Sequence, residues 1–399
     1  MKRILFVDDE QQILDGLRDL LRKQRKRWDM VFALGGQAAL DALDRGRFDV
    51  VVSDMRMPGI GGVSVLQRTK EISPSTARII LSGYADREVV LKALPVAHQF
   101  LSKPCNADVL HAVIERACGL QALLVDDDLR NAISSVDRLP SLHHTYWELT
   151  QALEHPEVGL TDLVKIVEQD AAMAATVLQL VNSSYFGLAQ NQASVRQAVK
   201  SLGTPLLKAL TLTAHVFVSA ADPPIEGFSL AELQRHSVLA ARIAERLLED
   251  KQRAEEAFTA ALLHDIGKIV LAMSLPGRFA EVLGNSGETG RSTHVVEREL
   301  LGVTHAEAGA YLLGLWGLPL GTVQAVAYHH DPELLTEPPT ETLVAVHVAN
   351  ALSHPPSGSG LGRDKGLNVA FVERSAFGSE LPRWRILAEE ERRAASRGA

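Results

Sequence analysis

Cysteine is nearly absent: Cys105 and Cys118 are the only two in 399 residues. Two thiols outside any CxxC spacing exclude a disulfide framework and read as reduced structural side chains. An excess of positive charge is also missing, with 41 Lys and Arg against 49 Asp and Glu and a net charge of −8. Nucleic-acid backbones are held by a positive surface, so this balance speaks against a nucleic-acid binder. The one basic cluster, Arg22, Lys23, Arg25, Lys26 and Arg27, fits the carboxyl end of a helix, where cations complement the dipole. Long apolar runs are absent as well. Stretches such as 257–263 and 343–349 are too short to cross a bilayer. The amino terminus opens like a signal peptide, but Asp8, Asp9 and Glu10 end its apolar segment at once. A cytoplasmic chain without membrane insertion is expected. Internal repeats and low-complexity tracts are missing, and 353–361, rich in Ser, Gly and Pro, is the candidate flexible loop.

What is present falls into two patterns. Residues 1–120 alternate short apolar runs, predicted as strands at 4–7, 30–33, 50–53, 79–82 and 99–101, with amphipathic stretches such as 11–21 and 62–70. This alternation predicts an α/β domain with a doubly wound, parallel, five-stranded sheet. Asp54 stands where the run Val50-Val51-Val52-Ser53 meets the turn Met55-Arg56-Met57-Pro58-Gly59. That places it at a strand's carboxyl end, the edge at which open α/β sheets carry ligand chemistry. Asp8, Asp9, Ser82 and Lys103 fall on the same edge.

Four motifs, Val7-Asp8-Asp9-Glu10, Asp54 through Gly59, Ser82-Gly83-Tyr84 and Lys103-Pro104, make this segment resemble the receiver domain of bacterial response regulators. The resemblance implies that Asp8, Asp9, Asp54 and the Arg56 backbone carbonyl hold Mg²⁺. It implies that Asp54 is the nucleophile that takes a phosphoryl group from a sensor histidine kinase, with Lys103 offsetting charge on the phosphoryl oxygens. Lys103-Pro104 is expected to be cis. Ser82 and Phe100 would carry the switch, although Phe100 also reads as an ordinary core aromatic, and the Asp8/Asp9 pair as a cap for the helix at Gln11.

Residues 106–132 have one helical apolar face (Val109, Leu110, Val113, Ile114, Ala117, Leu120, Leu123, Leu124) that either docks on the next domain or pairs with a second copy of the chain as a homodimer. Asp126-Asp127-Asp128 marks a solvated turn or a helix start. From Leu139 the pattern is helical, with helices expected at 160–168, 172–182, 195–202, 205–218, 230–248, 254–263, 293–300, 305–316 and 318–328, and no strand alternation. The division expected is a receiver at 1–120, a helical linker at 121–138, an all-α domain at 139–390 and a disordered tail at 391–399.

The blocks Val167-Glu168-Gln169-Asp170, Leu180 through Gly187, His236-Ser237, His264-Asp265-Ile266-Gly267-Lys268, Thr304-His305 through Gly309, Trp316-Gly317-Leu318-Pro319 and His329-His330-Asp331-Pro332 make the second segment resemble an HDOD domain of the HD phosphohydrolase superfamily. The resemblance implies a metal site from His236, His264, Asp265, His305, His329 and His330, a donor set suited to Fe, Mn or Zn. Two departures weigh against hydrolysis: Asn350 stands where the superfamily has a closing Asp, and Asp331-Pro332-Glu333 replaces the Gly-Tyr-Pro of cyclic di-GMP phosphodiesterases. Lys268 is placed to bond Asp265 where a metal would sit. His143, His144, His215 and His294 show no comparable pattern and read as surface or core residues. Two functions follow. One is a response regulator whose HDOD domain works by binding an unidentified output protein; the other is a phosphorylation-gated metal phosphohydrolase or phosphodiesterase acting on a nucleotide or cyclic dinucleotide. The acidic carboxyl half offers no basic recognition helix for a transcription factor.

Overall fold

The computed structural model describes residues 1–398 apart from 84–92, 94, 122, 125, 137, 156–157, 184–190, 209, 212–216, 220–222 and 355–365. Tyr84, His215, most of the expected loop at 353–361 and the end of the Leu180–Gly187 block lie outside the described residues.

The amino-terminal half is the expected α/β unit. Strands β1 (Lys2–Asp8), β2 (Trp28–Leu34), β3 (Val50–Asp54), β4 (Ala77–Ser82) and β5 (Gln99–Ser102) form one parallel sheet in the order β2-β1-β3-β4-β5. Alternate residues serve opposite faces, as the strand period requires. Leu5, Val7, Val51, Ile80 and Phe100 pack with Ala39, Leu43, Val65 and Leu66 of α2 (Gly35–Arg45) and α3 (Gly62–Ile72). Ile4, Phe6, Val52, Ile79, Leu81 and Leu101 face α1 (Gln11–Leu20) and α4 (Ala107–Leu120). The chain order reverses between β1 and β3, so a crevice opens beyond their carboxyl ends, where Asp8 and Asp54 sit. Neither Asp8 nor Asp9 caps α1; its N-cap is Glu10, without a side-chain bond. The basic cluster forms a 3-10 turn just after α1.

The apolar face beyond α4 docks on the next domain. It is not one continuous helix: α4 ends at Leu120 and α5 (Asp127–Ser134) starts afresh, because Asp126 accepts hydrogen bonds from the Asp128 and Leu129 amides (2.8 and 3.0 Å). Such a side-chain cap favours a new helix start over continuation. Leu120, Leu124, Leu129 and Ile133 belong to the same buried cluster as the core of the second half.

That half contains α6 (His143–Glu154), α7 (Leu160–Val167), α8 (Ala171–Asn182), α9 (Val195–Lys208), α10 (Leu230–Leu247), α11 (Lys251–Leu263), α12 (Ile266–Ser274), α13 (Pro276–Thr289), α14 (Thr293–Leu301), α15 (His305–Leu315), α16 (Leu320–Tyr328), α17 (Glu341–Ser353), α18 (Val369–Arg374) and α19 (Leu381–Gly398). Strand pairing is not wholly absent, since β6 (Pro140–Ser141) pairs in parallel with β7 (Val218–Ser219). The helix expected at 195–202 and the start of that expected at 205–218 are joined across a kink at Gly203 (φ 70°) ahead of Pro205 and run to Lys208; 209 and 212–216 lie outside the described residues, and Val218 is in β7. The stretch Lys251–Ser274 has the length of a membrane span and contains an 18-residue window of mean hydropathy 1.3, but 83% of that window is buried within the domain, as for a core helix.

The tail expected to be disordered from 391 is the second half of α19. This helix buries Leu381, Trp384 and Ala388, and the Trp384 indole donates to the Leu247 carbonyl (3.1 Å). Arg246 pairs with Glu390 and Glu391 at 2.7 and 2.8 Å. One buried stripe organises a helix whose exposed residues are almost all charged or small. Trp384→Ala is expected to lower the unfolding free energy by about 3–5 kcal/mol, measured by equilibrium denaturation; an unchanged midpoint would show that α19 is not anchored there.

Candidate functional site

Among the described residues two groups of reactive side chains stand out, one in each half. In the first, β1 and β3 present Asp8 and Asp54 at adjacent strand ends, and the loop after β5 brings Lys103 between them. Lys103 Nζ lies 2.7 Å from Asp8 Oδ2 and is paired with Asp54 Oδ1. The Arg56 amide donates to Asp54 Oδ2 at 2.7 Å, and the Glu10 amide to Asp8 Oδ1 at 3.0 Å. Burial raises the Asp54 pKa despite the opposing Lys103 charge. Burial pulls Lys103 down, but its bonds to Asp54 and Asp8 outweigh this and hold it above its ordinary value.

Asp54 is only 7% exposed, whereas Asp9 is exposed. Among the described residues Asp8, Asp9 and Asp54 do not close into one group at ligand distance; Lys103 occupies the space between two of them. Their hard oxygen donors fit Mg²⁺, which takes few carboxylates and keeps several waters. Ser82 ends β4, buried, one strand from Asp54, and Phe100 is fully buried on β5. The Lys103-Pro104 peptide is cis.

The second group is assembled from helix ends. His236 comes from α10, His264 caps α11, Asp265 opens α12, His305 is the first residue of α15, and His329 caps α16 with His330 beside it. All six expected residues converge in two potential metal-holding groups, Asp265 with His305, His329 and His330, and Asp265 with His236 and His264. Asp265 Oδ1 lies 3.1 Å from His305 Nε2 and 4.0 Å from His329 Nε2; its Oδ2 lies 3.5 Å from both His236 Nε2 and His264 Nε2. The approach of α15 to α12 depends on Gly267, where a Cβ would overlap the His305 carbonyl oxygen.

The outer ring nitrogens fix the tautomers. His264 Nδ1 faces the Ala261 carbonyl (2.6 Å), His329 Nδ1 the Val326 carbonyl (2.8 Å) and His305 Nδ1 the Glu297 carboxylate (2.7 Å). Each acceptor demands a proton on Nδ1, so three Nε2 atoms turn toward Asp265. Metal-ligating histidines are oriented in this way. His329 Nε2 is buried without a hydrogen-bond partner, a cost that a cation would remove. The donors therefore fit a borderline divalent metal such as Fe, Mn or Zn.

Without metal, positive charge comes from two other sources. Lys268 Nζ bonds Asp265 Oδ2 at 2.6 Å, as the sequence suggested. Burial lowers the His305 pKa, but Glu297 and Asp265 outweigh it and hold the imidazole above its usual value. Burial would raise Asp265, yet His264 and Lys268 keep it well below the carboxylate range. Desolvation pushes His236 down to about 3, and His329 and His330 well below normal, so these three remain neutral donors.

Four participants were missed by sequence reading. Glu297, fully buried, orients His305. His347 Nδ1 faces the His329 carbonyl (2.7 Å), while its Nε2 accepts from the Asn368 amide (2.9 Å). His294 stacks on His330 with ring centroids 4.0 Å apart, and His354 stacks on His236 at 4.9 Å. His294 is thus part of the site's rim, while His143 and His144 are exposed as expected. None of the four stands in a ligand spacing; the one available signal for Glu297 was an acid among the apolar positions Val296 and Leu301. Asn350 is buried on α17, whose Ser353 hydroxyl lies 3.3 Å from His236 Nδ1. A cleft of about 260 Å³ lined by His294, Arg298, Glu307, Tyr328, His330 and Asp331 adjoins the cage.

Residues 4–115 match the response regulator receiver domain family, and residues 139–332 match the HDOD domain family. An uncharacterized protein of Treponema pallidum (strain Nichols) is 28% identical over 199 residues, 49% of this chain and 38% of that protein. The transcriptional regulatory protein FixJ of Bradyrhizobium diazoefficiens is 36% identical over 115 residues, 29% of this chain and 55% of that protein. The chain thus spans less than two thirds of these curated relatives. A virulence factor from Campylobacter jejuni shares the fold with a TM-score of 0.54 at 19% identity, covering 67% of this chain and 98% of that one.

Two outcomes test the cage. Glu297→Gln is expected to weaken Mn²⁺ binding by about 10–100-fold, read by titration calorimetry, because an orienting partner of a ligating histidine is lost; unchanged affinity would sink the tautomer argument. Gly267→Ala is expected to cost about 1–3 kcal/mol or more in denaturant unfolding, since α12 and α15 must separate.

Proposed function

Because this chain joins a response regulator receiver domain to an HDOD domain, we propose that it is a phosphorelay response regulator, phosphorylated on Asp54 by a sensor histidine kinase and acting through its helical half. The observation that carries this reading is the Asp8–Lys103–Asp54 arrangement at the sheet's switch point. An Asp54 carboxylate oxygen attacks phosphorus; the P–N bond to the kinase histidine breaks and the imidazole leaves with its electron pair. Asp8, Asp9, Asp54 and the Arg56 carbonyl would hold Mg²⁺, which neutralises phosphoryl charge. The Arg56 amide orients Asp54, and Lys103 moves from pairing two carboxylates to pairing the new phosphoryl group. Ser82, buried beside the site, and Phe100 on β5 pass the change to the far side of the sheet.

In this reading the HDOD domain signals by binding an output protein in the cytoplasm rather than by turnover. The Lys268–Asp265 ion pair and the amide of Asn350 in place of a carboxylate support it. Incubated with a small phosphodonor and Mg²⁺, the wild-type chain is expected to take up one acid-stable, base-labile phosphoryl group, and Asp54→Asn none. Full incorporation by the variant would refute the assignment.

A second reading, a metal-dependent phosphohydrolase or phosphodiesterase acting on a nucleotide or cyclic dinucleotide, is favoured by the inward Nε2 atoms and the unpartnered His329 Nε2. Metal analysis with a cyclic di-GMP assay separates the two. The interaction reading expects no turnover, with or without bound metal; turnover that disappears in His264→Ala/Asp265→Ala would establish the enzyme.

A further inference from the structure

The contacts that join the two halves fall largely on one helix. The carboxyl end of α15 closes in a left-handed turn at Gly317 (φ 83°), with the Leu318 amide bonded to the Leu313 carbonyl and the Gly317 amide to the Gly314 carbonyl (3.1 and 3.0 Å). This pattern leaves the last carbonyls outward. The receiver side supplies their donors. Gln99 Nε2 on β5 donates to the Leu315 carbonyl at 2.9 Å, and Arg116 Nη1 on α4 donates to the Gly317 and Leu318 carbonyls at 3.1 Å each. Leu120 of α4 packs so closely on Gly314 that a Cβ there would overlap it. Ser134 of α5 bonds the buried Tyr311 hydroxyl at 3.2 Å.

The other end of the same helix is His305, in the cage. At 11 residues α15 is about 16 Å long. Its first turns are packed backbone to backbone on α12 at Gly267 and Gly309. Gln99 is adjacent to Phe100, whose carbonyl accepts from Ser183 at the end of α8 (3.2 Å). The clamp is therefore built on the strand that carries the switch aromatic.

We propose that α15 couples the two sites: the docked receiver holds His305 in register with Asp265, phosphorylation of Asp54 releases the clamp, and divalent-metal affinity of the cage falls. This inference rests on the reading of Asp54 as phospho-acceptor. His305 Nε2 and Asp265 Oδ1, 3.1 Å apart in the docked form, are spaced as neighbouring ligands on one ion. Coupling between binding equilibria is reciprocal, so metal in the cage must equally disfavour the phosphorylated receiver.

The test uses the full chain in excess Mg²⁺, with beryllofluoride as phosphoryl mimic and Mn²⁺ titrated into the cage; Asp265→Ala gives the background. The mimic is expected to weaken Mn²⁺ binding at least about fivefold, within the usual range of allosteric coupling. Gln99→Ala/Arg116→Ala, or the wedge Gly314→Leu, is expected to show the weaker affinity with and without the mimic. Hydrogen exchange in residues 305–318 is expected to quicken when the mimic binds. Equal Mn²⁺ affinity in both states of the wild type, tighter binding with the mimic, or no Mn²⁺ uptake overturns the coupling alone. Absence of an Asp54-dependent fluorine resonance from bound beryllofluoride overturns the phospho-acceptor reading, and the coupling with it.

Discussion

A single buried carboxylate, Asp265, sets the constraint around which the helical half is arranged. An ionised acid removed from water is very costly unless opposite charge and hydrogen bonds surround it. Here the ends of α11, α15 and α16, one face of α10 and the Lys268 side chain all converge on it. Meeting that demand fixes where the helices terminate and requires glycine at 267, where two backbones touch. The same arrangement accommodates either a proton on His305 with Lys268 alongside or a divalent metal. A domain can thus retain the ligands of a metal centre while its charge balance allows it to stand without one.

The receiver half solves a related problem differently. Asp8 and Asp54 are brought together by sheet topology, and Lys103 compensates their charge. The face of this sheet lined by α1 and α4 is continuous with the apolar core of the helical half. Interdomain contact is consequently core-like, with α15 lying between the sheet that carries Asp54 and the cage. A rearrangement of β5 or α4 cannot occur without disturbing the capping of that helix.

The receiver was readable because its signals are local. Period-two apolar runs give the strands, and each reactive residue sits one step past such a run, so strand ends and site residues are found together. The six cage residues were readable through motif resemblance, not through periodicity. Glu297, His294, His347 and His354 were hidden because none stands in a ligand spacing along α14 or α17, and each is meaningful only through what lies opposite. The break between α4 and α5 depended on the Asp126 cap prevailing over a continuing apolar face. The order of residues 391–398 depended on Trp384 finding a pocket beside Leu247.

By itself, then, the sequence determined the two-part architecture, the five-stranded parallel sheet and the carboxylate and lysine at its edge, since these follow from spacing and turn chemistry along the chain; the histidines of the second half came from the motif resemblance. Only the tertiary structure decided which ring nitrogens face inward, that Glu297 orients His305, and that the face of α4 is spent on α15 within the chain. Tautomers, charge compensation and docking are set by partners distant in sequence, and Asp54 is joined to the histidine cage only through such partners.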